Sequence, residues 1–173
     1  MVIDVQEKLL TVMAHSDRVV QNSIRLIKGA QLLSLPILVT EQYPQGIGPT
    51  VASLKELLAS AKMYEKLTFS ACGIPDFIRS LRTLKVQKII LCGIETHVCV
   101  YQTAMDLLHE GFGVVVVADA ASSRHDVDFE AALRQMSQSG VRVLTTEMVL
   151  FELMEKAGTE EFKSMLQIIK EAV

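Results

Sequence analysis

Short β-branched runs alternate along this chain with longer amphipathic runs, and this alternation constrains the fold more than any other feature. The candidate strands are residues 2–5, 37–40, 64–66, 89–92, 114–118 and 141–144. Several of them are almost entirely apolar, as expected for strands that helices cover on both faces. The alternation therefore predicts an α/β fold in which a parallel sheet, joined by right-handed crossovers, lies between two layers of helices.

The amphipathic runs predict helices over residues 16–33, 51–60, 74–84, 97–109, 129–139, 147–156 and 160–169. Ser16 or Asp17 has the side chain of a helix N-cap. Pro75 lies early in its helix, where a missing N–H costs little. Gly111 and Gly140 stand where two of the runs stop, and glycine commonly ends a helix.

The length and composition of the chain predict one ordinary globular domain. At 173 residues, a single domain over 1–173 is expected to bury its core without disulfides or a structural metal. Apolar residues make up 50% of the chain and charged residues 21%, which is typical of such domains. The net charge of −3, without clusters of Lys and Arg, argues against a nucleic-acid partner. No apolar run approaches the roughly 20 residues that a membrane span needs, so no membrane partner is predicted.

The cysteine content favours a reducing compartment, so we predict a cytoplasmic location. Cys72, Cys92 and Cys99 make an odd number and form neither a CxxC pair nor a zinc-knuckle spacing. The sequence reaches the charge of Asp4 too early for a secretory signal. Only three residues precede Asp4, which leaves open a short first strand or a longer natural chain.

Polar residues at strand ends are the candidates for a site, because doubly wound sheets bind ligands beyond the carboxyl ends of their strands. Asp4 follows the first predicted strand, Lys66 ends the third, and Cys99 lies in the first helical turn after the fourth. Taken singly, Asp4 could start a turn and Lys66 could be a solvated surface lysine. Cys99 could be a small buried hydrophobic residue, as we assume for Cys72 and Cys92.

The position of Cys99 in the sequence favours its nucleophilic form. Gly93 allows a tight turn after the fourth strand, and the helix start brings Cys99 near the positive end of the helix dipole. A free cysteine titrates near pH ~8.5, so only a few per cent is thiolate at neutral pH without such help. The dipole and the unsatisfied N–H groups of a helix start both favour thiolate. We therefore expect a lowered pKa at Cys99.

Three short motifs occur together in one order. They are Asp-x-Gln at residues 4–6, Lys66 shortly before Phe-Ser at residues 69–70, and GIETHVCV at residues 93–100. This set resembles the isochorismatase-like hydrolases, specifically the branch with a catalytic cysteine. Residues 117–120 and 122–124 also resemble the fifth-strand region of that family, and the similarity runs from residue 1 to about 151.

The resemblance implies a doubly wound, Rossmann-like α/β/α fold of three layers, with six parallel strands in the order 3-2-1-4-5-6. Strands one and four are then neighbours, so Asp4 lies beside Cys99. The resemblance further implies a Cys99–Asp4–Lys66 triad that cleaves a C–N bond of a small amide, ureido or carbamoyl compound through a thioester. The Ile94–Glu95 peptide bond is expected to be cis, directing the Glu95 and Cys99 N–H groups at one point as an oxyanion hole.

Residues 40–49 set this chain apart from the nicotinamidases of that family, which carry an Asp-x-His…His metal site there. The stretch has no histidine and one carboxylate, Glu41, so we predict no metal and no other cofactor. Glu41 is expected to cap or pair with a neighbour. The candidate walls of a pocket for a small-molecule substrate are Gln42, Tyr43, Phe69 and His97. Three further histidines carry no motif and are expected at the surface or at helix ends: His15, His109 and His125.

Two other functions remain open at this point, an isochorismate-type ether hydrolase and a catalytically silent oligomeric binding protein. True isochorismatases do not rely on this cysteine, so Cys99 favours amide chemistry over the first. An intact set of Asp4, Lys66 and Cys99 argues against the second. Apolar residues at 148–154 and 162–169, together with the resemblance, predict a homo-oligomer of unspecified order.

Overall fold

Six parallel strands form a central sheet in the computed structural model, which describes residues 1–154 and 156–171. The strands are β1 (Val2–Ile3), β2 (Leu38–Gln42), β3 (Lys62–Lys66), β4 (Lys88–Ile94), β5 (Gly113–Ser122) and β6 (Arg142–Leu144). Their order in the sheet is β3-β2-β1-β4-β5-β6, with every pairing parallel. The predicted α/β fold and strand order 3-2-1-4-5-6 are therefore confirmed.

Helices cover both faces of this sheet. They are α1 (Glu7–Leu10), α2 (Ser16–Leu32), α3 (Pro44–Ile47), α4 (Ala52–Lys55), α5 (Phe77–Thr83), α6 (Tyr101–His109), α7 (Asp126–Gln138), α8 (Thr146–Met154) and α9 (Glu160–Lys170). A 3₁₀ turn at Ala71–Gly73 precedes α5, and a π-helical turn at Thr96–Val100 precedes α6. None of the helices described is long and apolar enough to cross a bilayer.

The buried side chains form a hydrophobic cluster on each face of the sheet. Val2 and Ile3 of β1 enter opposite clusters, because successive strand residues point to opposite faces. Phe77 of α5 and Leu107 of α6 pack in the cluster of Ile3, and Ile27 of α2 packs in the cluster of Val2. β1 therefore lies in the middle of a three-layer structure, covered on both sides.

Several predicted helix boundaries were wrong, and the backbone gives the reason in each case. His15, at φ +53°, stands before α2, so neither Ser16 nor Asp17 is the N-cap. α5 starts at Phe77, after Pro75, because Asp76 adopts φ +62°. The predicted helix 51–60 is helical only at α4, with turns after it, and α7 begins before residue 129, at Asp126. For the predicted helix 147–156, α8 ends at Met154 and residue 155 lies outside the described residues.

The helix ends predicted from glycine are confirmed. Gly111 and Gly140 follow α6 and α7 with φ of +86° and +100°, values that glycine adopts without steric cost. The first strand is shorter than predicted, because Asp4 takes φ +53° and leaves the extended conformation. β5 is longer than predicted and continues to Ser122.

Gly93 allows β1 and β4 to approach closely at the centre of the sheet. Ile3 pairs with Gly93 on one side and with Thr40 of β2 on the other. A Cβ atom at position 93 would lie 2.0 Å from the carbonyl oxygen of Ile3, and Gly93 has φ +123°. The residue after Ile3, Asp4, is thereby brought beside the end of β4.

Candidate active site

Three of the predicted site residues meet at the carboxyl edge of the sheet. Asp4 follows β1, Lys66 is the last residue of β3, and Cys99 lies in the π-helical turn after β4. The side chains of Asp4 and Lys66 are fully buried, and Cys99 is 5% exposed. Because β1 lies between β2 and β4, the strand order itself brings groups more than 60 residues apart into contact.

The Lys66 ammonium has an acceptor for each of its three N–H bonds. Nζ donates to Asp4 Oδ2 at 2.6 Å, to Gln42 Oε1 at 2.7 Å and to the Phe69 carbonyl oxygen at 2.9 Å. A neutral amine has only two N–H donors, so three acceptors indicate the charged form. The pair with Asp4 is thus a buried, hydrogen-bonded ion pair.

The Asp4 carboxylate is held from two sides. The Thr40 hydroxyl donates to Oδ1 at 2.7 Å, while Lys66 donates to Oδ2. The Asp4 backbone N–H also donates to the Thr40 carbonyl oxygen at 3.1 Å, which secures the turn out of β1. The charges of the Asp4 carboxylate and the Lys66 ammonium both act on the nearby Cys99 thiol, in opposite directions.

Cys99 is a protonated thiol at neutral pH, which corrects the expectation from its place at a helix start. Burial raises the pKa of the Cys99 thiol to about 12, and the negative charge of Asp4 adds to the increase. The charge of Lys66 acts in the opposite direction but does not compensate. Because burial and a neighbouring carboxylate both disfavour a second anion, they outweigh the dipole.

The chain enters the π-helical turn that carries Cys99 through a cis peptide bond between Ile94 and Glu95. The Glu95 carboxylate pairs with Arg124, whose Nε donates to its Oε2 at 3.0 Å. The Glu95 carbonyl oxygen accepts from the N–H groups of Val98 and Val100. The Glu95 backbone therefore helps to close the turn around Cys99.

The four candidate pocket walls lie in different environments. Tyr43 and Phe69 lie at the carboxyl edge and are 50% and 53% exposed. The Tyr43 ring packs against Gly46. His97 is half-buried, and its Nδ1 lies 2.9 Å from Ser123 Oγ. Gln42 is occupied inside the site, because its Oε1 accepts from Lys66 and its Nε2 donates to the Leu67 carbonyl oxygen at 3.0 Å.

Gln6 supports the candidate site, although the sequence alone assigned it no role. It is fully buried, and its Nε2 donates to the carbonyl oxygens of Gln42 and Gly48 at 3.0 and 2.6 Å. Its Oε1 accepts from the Gln42 N–H at 2.7 Å. Gln6 therefore ties the end of β1 to the end of β2. The Asp-x-Gln motif was the signal that marked it.

The remaining polar candidates are structural. Glu41 Oε1 accepts from the N–H and the hydroxyl of Thr50, which confirms that it pairs with a neighbour. Three histidines are exposed at helix ends, also as expected: His15, His109 and His125. Within residues 1–154 and 156–171, no group of three or more His, Cys, Asp or Glu side chains is arranged to hold a metal ion.

An apolar cavity of about 160 Å³ lies away from this site. Its lining includes Met1 and Ile37 before β1 and β2, Ile89 and Ile90 in β4, and Leu150 in α8. The residues before and within the strands all lie at the amino-terminal ends of those strands. None of the three residues of the candidate triad lines the cavity, so the cavity is separate from the candidate active site.

Comparison with known proteins identifies the family. A profile described as the isochorismatase domain matches residues 1–148. Mouse isochorismatase domain-containing protein 2A is 42% identical over 171 residues, covering 98% of this chain and 81% of the relative. The fold and these matches define an isochorismatase-like α/β protein. The chain belongs to the isochorismatase family.

Two solved structures illustrate the range of similar folds. The MAR1 ribonuclease from Caenorhabditis elegans superposes with a TM-score of 0.93 at 42% identity, covering 99% of this chain and 88% of that one. The YcaC gene product from Escherichia coli, described as an octameric hydrolase of unknown specificity, has a TM-score of 0.89 at 26% identity. That match covers 96% of this chain and 85% of the other.

Proposed function

We propose that the protein is a cysteine hydrolase that cleaves a C–N bond of a small amide, ureido or carbamoyl compound. The observation that carries the proposal is the buried Asp4–Lys66 ion pair in contact with the Cys99 thiol. A buried ion pair costs desolvation energy and is weak evidence for stability, so its contact with a nucleophile favours a chemical role. Family membership supports the small-molecule substrate class.

The first half-reaction transfers the acyl group to sulfur. Asp4 takes the proton of the Cys99 thiol while Sγ attacks the carbonyl carbon of the substrate. The oxyanion that forms is stabilised by the backbone N–H groups of Glu95 and Cys99. The tetrahedral intermediate then collapses, the C–N bond breaks, and the leaving amine takes the proton from Asp4. The product on the protein is a thioester.

The second half-reaction restores the thiol. Asp4 takes a proton from water as the water oxygen attacks the thioester carbon. The C–S bond breaks, the acid is released, and the proton returns from Asp4 to Cys99 Sγ. One water is consumed, and one amine and one acid are formed. Lys66 stays charged throughout and stabilises both the carboxylate and the developing thiolate.

A thiol with a pKa of about 12 suits this sequence of steps. Free thiolate is scarce at neutral pH, so the attack depends on a base that removes the proton as the bond forms. The charge of Asp4 acts on the pKa of the thiol, so its carboxylate is near enough to be that base. Gln42 supports this arrangement as a positioning residue, because both ends of its amide are used to hold the Lys66 segment.

The test measures ammonia released from small primary amides, N-carbamoyl amino acids and ureido acids. We expect turnover of at least one class, and its loss by a factor of about 10³ or more in Asp4→Asn and in Cys99→Ser, since each loses a member of the triad. Cys72→Ser is the matched control and keeps full activity, because Cys72 is a half-buried cysteine outside the triad. Turnover that survives Cys99→Ser would refute the cysteine mechanism.

The same experiment separates the other candidate functions. Isochorismate turnover by Cys99→Ala would replace the proposal with ether hydrolysis. MAR1 ribonuclease is similar in structure, but phosphate groups of RNA are bound by available Lys and Arg side chains, and all three N–H bonds of Lys66 are already used. RNA cleavage that is lost in Cys99→Ser would nevertheless redirect the proposal to RNA.

We also propose that the protein is a homo-oligomer in the cytoplasm. Met148 and Phe151 of α8 are 53% and 40% exposed, which leaves apolar surface for a second copy. The E. coli YcaC structure, described as octameric, supports association in a protein of the same fold. The three free thiols support a reducing compartment.

A further inference from the structure

Thr40 lies beside Asp4 in the sheet and contacts it through both backbone and side chain. Its carbonyl oxygen accepts from the Asp4 N–H at 3.1 Å, and its hydroxyl donates to Asp4 Oδ1 at 2.7 Å. Both residues are fully buried, so bulk water does not compete for these bonds. We propose that Thr40 is a positioning residue that holds the Asp4 carboxylate in the orientation that proton transfer from Cys99 requires.

The geometry of a carboxylate explains why a second donor matters. The last torsion of an aspartate side chain is broad, so a single hydrogen bond leaves the carboxylate plane poorly fixed. Lys66 donates to Oδ2 at 2.6 Å, and Thr40 donates to the other oxygen. Two donors on different oxygens fix the plane. The lone pairs that face Cys99 are then held in one direction.

A purely structural role for Thr40 would not need its hydroxyl. Valine has the same branched shape, suits a strand equally well, and keeps the backbone hydrogen bond to Asp4. Burying a hydroxyl costs free energy unless it is hydrogen-bonded, and the O–H of Thr40 donates to the base itself. The hydrogen bond to the Asp4 carboxylate therefore explains why residue 40 is threonine and not valine.

A spectroscopic signature follows from the same contact. The charged and titratable groups near Asp4 among the described residues are Lys66 of β3 and Cys99 of the π-helical turn, and Thr40→Val leaves both in place. The Thr40 hydroxyl donates a hydrogen bond to an ionised oxygen, so its loss changes the chemical shift of the carboxyl carbon. We expect the ¹³C shift of the Asp4 carboxyl carbon to change in Thr40→Val. Thr40→Ser, which keeps the hydroxyl, restores the wild-type shift.

This inference rests on the proposed function, so the experiment has two independent readouts. The first is the ¹³C NMR shift of aspartate carboxyl carbons at one fixed neutral pH, with the Asp4 resonance assigned by its absence in Asp4→Asn. The second is kcat and KM for the amide that the protein hydrolyses. In Thr40→Val we expect kcat to fall roughly 10- to 100-fold, with KM little changed, because the base is misplaced while the pocket is kept.

Thr146→Val is the matched control, because Thr146 also donates its hydroxyl to an aspartate, at 2.9 Å from Asp119 Oδ1. It leaves the Asp4 carboxyl shift and kcat unchanged. If Thr40→Val does not fold, Thr40→Ala, which also lacks the hydroxyl, gives the same comparison. An Asp4 carboxyl shift that is equal in wild type and Thr40→Val overturns the inference even where amides are hydrolysed. Absence of amide hydrolysis, with the Asp4 carboxyl shift changed, refutes the proposed function and leaves the Thr40–Asp4 coupling established.

Discussion

Lys66 acts on the site through its charge. All three of its N–H bonds are occupied by Asp4, Gln42 and the Phe69 carbonyl oxygen, so none is left to bind a substrate. Its ammonium lowers the pKa of the Cys99 thiol, while burial and Asp4 raise it by more. At the scale of single residues, the candidate site is a thiol beside two opposite charges that are fixed in place.

The first residue-scale prediction concerns the pKa of Cys99. Asp4→Asn removes the carboxylate that opposes thiolate formation, so the apparent pKa of Cys99 falls from about 12. Asparagine also tolerates the φ of +53° at this position. Lys66→Met removes the favourable charge and shifts the pKa upward. The measurement is the rate of Cys99 alkylation by iodoacetamide against pH, read from the mass of the Cys99 peptide.

Asp106→Asn is the control for this prediction. Asp106 lies on α6, which follows the π-helical turn of Cys99, but its charge acts on the pKa of Cys72. The Cys99 profile is therefore unchanged in Asp106→Asn. Identical Cys99 profiles in wild type and Asp4→Asn would contradict the contact between thiol and carboxylate. We expect Asp4→Asn to lose amide turnover although its Cys99 thiol is more acidic. This result would show that Asp4 acts as a base and not only through its charge.

The motifs were sufficient to predict which three residues meet, but not the residues that hold them. Asp4, Lys66 and Cys99 stand at the ends of strands that the fold makes neighbours, so order along the chain was enough. Thr40 and Gln42 act through the register of β2, which spacing in the sequence does not reveal. The pKa of Cys99 was expected to be low because burial was not visible in the sequence.

At the scale of elements, the short strand β1 is the centre of the site. Ile3 pairs with Thr40 on one side and with Gly93 on the other, so its position decides where Asp4 lies. The missing side chain at Gly93 makes this pairing possible, since a Cβ atom there would meet the backbone of Ile3. A change at residue 93 therefore displaces Ile3 and, with it, Asp4, the next residue in the chain.

The element-scale prediction compares two glycines with positive φ. Gly93→Ala places a Cβ atom 2.0 Å from the Ile3 carbonyl oxygen and lowers the free energy of unfolding by more than about 4 kcal/mol. Gly140→Ala, with φ +100° and no atom within 4 Å, bears only the backbone cost of about 1–2 kcal/mol. Urea unfolding followed by circular dichroism measures both. Equal losses in the two variants would contradict the close approach of β1 and β4.

Alternation of apolar and amphipathic runs was enough to predict the sheet and its helical layers. The ends of the elements were less predictable, because left-handed residues such as Asp4, His15 and Asp76 decide them. These residue types are compatible with helix, strand or turn, so their conformation depends on tertiary contacts. The π-helical turn that carries Cys99 likewise has no pattern of its own in the sequence.

At the scale of the whole molecule, exposed apolar side chains are distributed over more than one surface. Met148 and Phe151 lie on α8, and the ring of Phe151 contacts Phe162 of α9 edge to face. Val127 of α7 is 72% exposed and lies on an element that packs against the other face of the sheet. Introducing a charge on α8 or on α7 therefore tests which surface mediates the proposed self-association.

The whole-molecule prediction is that Met148→Glu dissociates the oligomer, because a charge on α8 opposes burial against a second copy. The molar mass from size-exclusion chromatography with light scattering falls to about that of the 19.1 kDa chain. Val127→Glu is the matched control and keeps the wild-type mass. Dissociation by Val127→Glu alone would move the interface to the other layer, and a monomeric wild-type protein would refute self-association.

The order of the strands also links activity to the folding of the chain. Asp4, Lys66 and Cys99 belong to β1, β3 and the turn after β4, so closing the site requires long loops between distant segments. Contacts of this kind form late, because loop-closure entropy opposes them until the sheet is assembled. A partly folded chain that has its first helices but lacks the centre of its sheet therefore does not bring Asp4, Lys66 and Cys99 together. On the proposed function, newly synthesised molecules gain activity only when folding is complete.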